Sequence, residues 1–439
     1  MELDELGDLR RTHFSVAIDS SLHGKEVVVA GHANRIRDIG KVKFIDLRDR
    51  DGNVQVTVVT GKASREVIEK VKQIGNEFVL VVRGVVSANP QAPRGVEILP
   101  SAIKIVNSAK HPLPLDPTGS VPADIDTRLN ARVLDLRRPK PHAIFKIQHF
   151  LLKSIRQFLS DRGFIEIDTP KLIVSATEGG TQLFPVKYFE RTCYLRQSAQ
   201  LYKEQLSSSF DKVYEIGPVF RAEEHDTTRH LNELTQIDIE AAFMSYVDVM
   251  KILEELVSEC YSELAENCSG ELAALGRKIE RPTIPFERVT YSQLVEDLKS
   301  QGIELEWGQD FELHHLKAIG KKLGSFYFIT DWPTSMKPFY IRPKTDHPDV
   351  SESFDLQYGW LELASGGTRI HEEDLLLKRL TEQGLKPEHF RDHLQAFEVG
   401  MPPHSGWAVG LARLMMVIAG VDNIRECVFY PRDRLRLTP

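Results

Sequence analysis

The sequence predicts an α+β protein in two parts: a small β-barrel, then a larger and mostly antiparallel sheet flanked by helices. Three observations predict it. Residues 24–107 alternate apolar and polar side chains over short runs, the period of strands. Residues 110–126 (KHPLPLDPTGSVPADID) then carry four prolines, the composition of a hinge. Beyond 141 the apolar period lengthens to that of helices, mixed with strand runs but without regular strand–helix–strand alternation. The expected boundaries are a barrel domain over 1–107, a hinge over 108–137 and the larger domain over 138–439.

Composition narrows the class. A chain of 439 residues is too long for a single core, and 41% hydrophobic with 27% charged residues is ordinary for a soluble protein. No apolar run approaches the roughly 20 residues of a membrane helix. The start, MELDELGDLRR, is too acidic and polar for a signal peptide. Cys193, Cys260, Cys268 and Cys427 are scattered, without a CxxC pair or zinc spacing, and read as reduced thiols of a cytoplasmic protein. The net charge of −7 argues against binding nucleic acid by bulk charge, although 1–107 is slightly basic and the remainder acidic.

In chain order, the first strand covers 25–30 (KEVVVA) and ends at Gly31. Residues 41–48 (KVKFIDLR) form the second, and 53–59 (NVQVTVV) the third, after an acidic turn at Asp51-Gly52. A short helical pattern over 63–74 precedes a fourth strand at 77–86, and a fifth covers 95–99. Five strands with a helix between the third and fourth is the order of an OB-type barrel, whose second and third strands bind oligonucleotides. Phe44 and Gln55 lie there. Phe44 reads as an exposed platform for a stacked base, with a core aromatic as the alternative.

In the larger domain Ile144, Ile147, Leu151, Ile155 and Phe158 mark one face of a long helix that stops at Gly163. Strands are expected at 163–172, 213–219, 236–242, 326–330, 338–342, 353–358 and 360–364. A second amphipathic helix covers 246–266, and a small-residue helix 405–419. There is no GxxxxGK[ST] and no GxGxxG after a strand, so contacts to a nucleotide must come from side chains.

The densest chemistry lies in 220–230 (FRAEEHDTTRH), between two strands of a hairpin. A solvated loop explains scattered charge, but Arg221 and Glu223 fall on one face at the end of an apolar strand. An arginine fixed there is a preorganised clamp for phosphate or carboxylate. Three more clusters accompany it. Residues 177–181 (TEGGT) form a glycine-hinged loop with Glu178, either a plain turn or a mobile lid. Residues 197–203 (QSAQLYK) bring Gln200 and Lys203 to one helical face. Residues 362–369 (ELASGGTR) carry Glu362, Ser365 and Arg369. Arg413 stands alone on an otherwise apolar helix in 406–414 (GWAVGLARL).

Together these motifs resemble the class II aminoacyl-tRNA synthetases, most closely the archaeal-type aspartyl-tRNA synthetases. The resemblance covers the whole length. GFIEIDTPKL is similar to motif 1, with Pro170 at a dimer interface, VFRAEEHDTTRH to motif 2, and GLARL to motif 3. It implies an anticodon-binding barrel, a homodimer, and aspartate activation by ATP with Mg²⁺. The aspartate carboxylate attacks the α-phosphate, and no general base is needed. It also implies that Arg221 bridges carboxylate and α-phosphate, and that Arg413 holds the γ-phosphate end with Arg229 and His230 nearby. Glu223, Leu231 and Gly410 join the ATP site. Glu362 and Ser365 carry Mg²⁺, an ion that prefers oxygen ligands. Glu178 receives the ammonium, with Asp355 either helping to hold it or orienting neighbours. Lys203 and Arg369 face the side-chain carboxylate, with Gln200 and Ser365 adding hydrogen bonds.

Asparagine would leave those two cations without a counter-charge, which argues against an asparaginyl enzyme. A catalytically dead paralogue should have lost some of Arg221, Glu223, Glu362 and Arg413. A stand-alone asparagine synthetase should lack the barrel. Three positions depart from the family pattern: Ala199, Thr368 and Ala412. None removes a group assigned to chemistry. In the barrel, Arg37, Phe44, Gln55 and Glu97 match positions that read the anticodon in relatives. His32 and Pro93 stand where enzymes restricted to tRNA(Asp) carry tryptophan and lysine. This pair is similar to that of nondiscriminating relatives, which charge tRNA(Asp) and tRNA(Asn) and so depend on a separate amidotransferase. Charging of tRNA(Asp) alone is the alternative.

Overall fold

The computed structural model describes residues 2–174, 183–224 and 227–439. The chain divides into two compact units, 1–138 and 139–439.

In the first unit, strands β1 (Glu26–Ile39), β2 (Val42–Arg48), β3 (Asn53–Val59), β4 (Val79–Ala88) and β5 (Val96–Asn107) close into a barrel in the order β1-β2-β3-β5-β4. The helix Arg65–Val71 lies between β3 and β4, with the Ser64 hydroxyl capping the Val67 amide. Alternate residues fill the interior, among them Ile45, Leu47, Val54, Val56, Leu80 and Val82. The first strand runs well past Gly31, its expected end. Gly31 is needed for close approach rather than for a stop: a Cβ there would lie 2.1 Å from the Arg48 carbonyl oxygen.

In the second unit the strands are β6 (Ile165–Glu166), β7 (Leu172–Ile173), β8 (Pro185–Tyr188), β9 (Arg191–Leu195), β10 (Lys212–Phe220), β11 (Glu233–Ala242), β12 (Glu287–Thr290), β13 (Phe326–Thr330), β14 (Ser353–Tyr358), β15 (Leu361–Thr368) and β16 (His404–Gly410). Eight form one sheet in the order β12-β13-β14-β15-β16-β11-β10-β6. The short β7, β9 and β8 form a second. Only β12–β13 and β10–β6 pair in parallel within the large sheet. Helices Pro139–Asp161, Tyr246–Asn267 and Leu411–Ala419 contribute Leu151, Ile155, Leu253, Val257, Met415 and Ile418 to the core with the sheet's Ile237, Ile239 and Trp407.

Three expected elements differ. The strand expected over 163–172 is two short pieces, β6 and β7, in different sheets, separated by a stretch containing Pro170, which has no amide to donate. Residues 338–342 are not a strand. Phe339, Tyr340 and Ile341 are apolar because they pack under helices Glu373–Glu382 and Arg391–Glu398, with one bridge, Ile341 to Arg369. The helix expected over 405–419 begins only at Leu411, and its first half is β16, in the middle of the sheet. A strand buried on both faces lacks alternation, so its small residues read as helix.

Candidate active site and nucleic-acid interface

Strands β10 and β11 form an antiparallel hairpin whose last ladder pair is Phe220 with Glu233. The Arg221 amide continues the ladder, donating to the Asn232 carbonyl at 2.9 Å. The Asn232 side chain then closes the neck of the loop: its Nδ2 donates to the Arg221 carbonyl at 2.7 Å and to the Glu223 carbonyl at 3.0 Å. Arg221 Nη1 is 3.8 Å from Glu223 Oε1. His225 and Asp226 lie outside the described residues, as does the 175–182 stretch with Glu178.

A cavity of about 280 Å³ opens beside this neck. Gln200, Lys203, Arg221, Glu223, Arg229, His230, Leu231, Glu362, Ser365, Arg369, Gly410 and Arg413 all line it, from four separate stretches of chain. One group of lining cations suits phosphate. Arg413 Nη1 donates to the Glu362 carbonyl at 3.0 Å and lies 3.7 Å from its Oε1. The Arg229 guanidinium stands 5.2 Å from the Trp360 ring centroid, and its pKa is lowered by burial and by Arg413. Two guanidiniums sharing one partly buried site repel unless an anion joins them, the electrostatics of a polyphosphate site.

In a second group, Lys203 and Arg369 are almost wholly buried. Lys203 Nζ lies 2.9 Å from Asp238 Oδ1 and 3.7 Å from Glu240 Oε2. Arg369 grips Glu240 with two bonds, Nε to Oε1 at 3.0 Å and Nη2 to Oε2 at 3.2 Å. The two cations are thus shared with carboxylates of β11 rather than standing free, as the sequence had suggested. Burial raises the Asp238 pKa even against the pull of Lys203. Asp238 and Glu240 were missed in the sequence. The signal was there, two acids at alternate positions between Ile237, Ile239 and Ala241 on a buried strand, which places both on one face. Lys337, Tyr340 and Asn232 had no such signal.

Of the two roles expected for Asp355, its contacts fit the orienting of neighbours. It is not among the residues lining this cavity, and its carboxylate is held by Lys337 Nζ at 2.9 and 3.0 Å. Burial raises its pKa, with Lys337 opposing. It sits on β14 directly opposite Ser365 of β15, so it backs the cavity wall instead of facing an ammonium. Glu362 and Ser365 project outward from the same strand as exposed oxygen donors, a set that fits a hard divalent cation. Ala199 precedes the helix Gln200–Phe210, and Thr368 takes part in a local bond, accepting from the Tyr246 amide at 3.0 Å.

In the barrel, Phe44 lies opposite the core-facing Ile45 and Leu47, half-buried, with the Arg37 guanidinium 5.1 Å from its ring centroid. The core alternative for Phe44 therefore fails. Arg37 Nη2 donates to Gln55 Oε1 at 3.1 Å, and Gln55 Nε2 to Glu97 Oε2 at 3.2 Å. Asn89 Nδ2 holds the other Glu97 oxygen at 3.0 Å. Four residues expected to read an anticodon thus form one connected network, in which Arg37 is exposed, Phe44 half-buried, and Gln55 and Glu97 buried. His32 pairs with Arg48 toward the other end of the β1–β2 ladder. Burial, then the nearby Arg137, pulls its pKa down to about 4, so the ring is neutral at neutral pH. Pro93 is exposed in the β4–β5 loop, beginning a short 3₁₀ turn.

Residues 124–434 match the family described as tRNA synthetases class II (D, K and N), and 27–106 match the OB-fold nucleic acid binding domain. The chain belongs to the class II tRNA synthetases. Among curated relatives it is 51% identical over 435 residues to the aspartate–tRNA(Asp/Asn) ligase of Methanothermobacter thermautotrophicus, covering 99% of this chain and 100% of the relative. It is likewise 51% identical to that of Methanopyrus kandleri, covering 95% and 96%. Among solved structures, an asparaginyl-tRNA synthetase from Pyrococcus horikoshii complexed with asparaginyl-adenylate aligns with a TM-score of 0.92 at 32% identity, over 98% of this chain and all of the other. An aspartyl-tRNA synthetase from Entamoeba histolytica aligns at 0.86 and 30%, over 100% and 96%. The structural likeness spans both specificities, whereas the sequence likeness to the curated archaeal ligases is much higher.

Proposed function

We propose that the protein activates L-aspartate with ATP and transfers it to tRNA, charging both tRNA(Asp) and tRNA(Asn). The observation that carries this reading is a single cavity lined by two groups of cations, Arg229 with Arg413 beside Glu362 and Lys203 with Arg369 beside Glu240, together with Arg221 from the hairpin neck. In the first step an aspartate α-carboxylate oxygen bonds to the α-phosphorus, and the bond to the β-phosphate oxygen breaks, releasing pyrophosphate. Arg221 holds the carboxylate against the phosphate and stabilises charge that grows on the phosphoryl oxygens. Arg413, Arg229 and His230 hold the far phosphates, with Glu223, Leu231 and Gly410 completing the ATP site. Mg²⁺ bound with ATP, on Glu362 and Ser365, would neutralise phosphate charge. Lys203 and Arg369 receive the side-chain carboxylate, and Glu178 suits the ammonium. In the second step a ribose hydroxyl of the tRNA end attacks the aspartyl carbonyl and AMP leaves.

A reading as an asparaginyl enzyme is favoured by the Pyrococcus likeness. The buried cations do not decide between the two substrates, because Asp238 and Glu240 already meet their charge, and the choice rests on sequence likeness. The higher identity to curated aspartate–tRNA(Asp/Asn) ligases supports aspartate and, with His32 and Pro93, both tRNAs. Phe44, Arg37, Gln55 and Glu97 would read the anticodon. A homodimer through the region around Pro170, and a tRNA-dependent amidotransferase to complete Asp-tRNA(Asn), belong to the same proposal. No helix among the described residues is long and apolar enough to cross a membrane. The test is ATP–pyrophosphate exchange with aspartate and asparagine in parallel. Exchange driven by aspartate alone is the expected result, and exchange driven by asparagine would overturn the reading.

A further inference from the structure

The helix Gln200–Phe210 places behind the cavity a buried carboxylate that the reaction above does not use. Glu204 lies one helical turn from Gln200 and is inaccessible to solvent. Its Oε1 accepts from Gln200 Nε2 at 2.6 Å. Its Oε2 faces two buried imidazoles, with His393 Nε2 at 3.4 Å and His404 Nε2 at 3.5 Å. The far nitrogens of these rings fix their protonation. His404 Nδ1 lies 2.8 Å from the Pro402 carbonyl, which can only accept, so Nδ1 bears a proton. A bare Nε2 would set a lone pair against a carboxylate, so Nε2 bears a second proton and His404 is an imidazolium. Gln205 Nε2 lies 3.4 Å from His393 Nδ1 and donates to it. Burial alone would protonate Glu204, but the two imidazoles hold its pKa below the ordinary carboxylate value. Burial would likewise discharge His404, and Glu204 reverses that.

A carboxylate held this way offers lone pairs only. Gln200 can meet it only with its amide nitrogen, which turns the Gln200 carbonyl oxygen away from Glu204 and toward the cavity. We infer that Glu204 is a positioning residue for amino-acid recognition: it fixes the Gln200 carboxamide so that position 200 presents a hydrogen-bond acceptor, suited to the ammonium group of the amino-acid substrate. The inference differs from the expectation that Gln200 adds a hydrogen bond to a substrate carboxylate. The inference rests on reading the cavity as an amino-acid site.

The test is aspartate-dependent ATP–pyrophosphate exchange by the full-length chain with Glu204→Gln. The carboxamide introduced by that substitution can donate as well as accept, so the Gln200 carboxamide is free to invert and set its NH₂ against the ammonium. KM for aspartate is expected to rise tenfold or more while KM for ATP stays within twofold. Adding Gln200→Glu to Glu204→Gln moves the carboxylate into the cavity wall and restores a fixed acceptor. That double variant is expected to recover KM for aspartate to within about threefold of wild type, a rescue that simple charge balance at His404 does not predict. Should Glu204→Gln fail to fold, Glu204→Asp keeps the charge and withdraws the oxygen from Gln200, and the same rise in KM is expected. Unchanged KM for aspartate in the folded variant, or a rise that the double variant does not reverse, overturns the inference. Absence of aspartate-dependent exchange in the wild-type chain would instead overturn the reading of the cavity.

Discussion

Lys203 joins stability to specificity in one side chain. It is 1% exposed and bonded to Asp238, so Lys203→Leu leaves a buried carboxylate without its partner. Breaking such a pair costs about 3–5 kcal/mol. Aspartate-dependent exchange is expected to fall at least 100-fold and the melting temperature to drop; exchange near the wild-type rate would remove Lys203 from the site. Phe44 is the opposite case, a half-buried ring on the barrel surface. Base stacking is worth about 1–3 kcal/mol, so Phe44→Ala should raise KM for tRNA roughly tenfold and leave exchange untouched. Loss of exchange in that variant would contradict the division of labour. Arg413 was legible in the sequence because a charge on an apolar helix demands a reason, and Lys203 and Arg369 because each stands in a short cluster with other polar groups. Their partners were harder to read. Asp238 and Glu240 sit in a strand whose burial depends on neighbours far along the chain, and Asp355 took its true partner, Lys337, from a loop no local pattern connects to it.

Loops and strands decide how those side chains are held. The segment 221–232 is pinned where it leaves the sheet, by the Asn232 carboxamide on one side and by the C-terminal segment on the other. The Asn232 amide donates to the Arg432 carbonyl at 2.8 Å, and the Ile424 amide donates to the Thr228 carbonyl at 2.9 Å. Arg434 Nη1 reaches Glu224 Oε2 at 3.0 Å. Asn232→Ala removes two bonds to the carbonyls of Arg221 and Glu223 while sparing the backbone ladder. It should lower the exchange rate about tenfold with little change in melting temperature, each lost bond being worth roughly 1 kcal/mol. An unchanged rate would show that the ladder alone positions Arg221. The Glu204–His404 pair gives a pH prediction. Glu204, with its pKa depressed below 4.5, stabilises the fold at neutral pH, and this is lost as pH falls through its folded value. His404, with its pKa raised above 6.5, stabilises the fold at lower pH, and this is lost as pH rises through its folded value. The melting temperature should therefore decline on both sides of neutrality, and Glu204→Gln should flatten the alkaline decline. An alkaline decline of the same size in both proteins would remove the pair as its cause. Elements with one wet face, such as β2 and β3, were readable from alternation. The fully buried β16 was not, since burial on both faces erases the period.

At the scale of the whole chain, two units with separate cores carry separate parts of the proposed function. The proline-rich stretch and the change of period made the two-part plan visible, because each reflects how a segment must bury its own apolar face. The strand order of the eight-stranded sheet was not visible, since pairing β11 with β16 joins residues from distant parts of the chain. The proposed homodimer through the region around Pro170 predicts sedimentation as a dimer, and a fully active monomer at assay concentration would contradict that proposal. The central claim concerns aspartate and two tRNAs. Its most direct test is charging of purified tRNA(Asp) and tRNA(Asn) transcripts, side by side, with labelled aspartate. Comparable aspartylation of both is the predicted result. Aspartylation of tRNA(Asp) alone would contradict the two-tRNA claim and reduce His32 and Pro93 to surface variation, and aspartylation of neither would contradict the function itself.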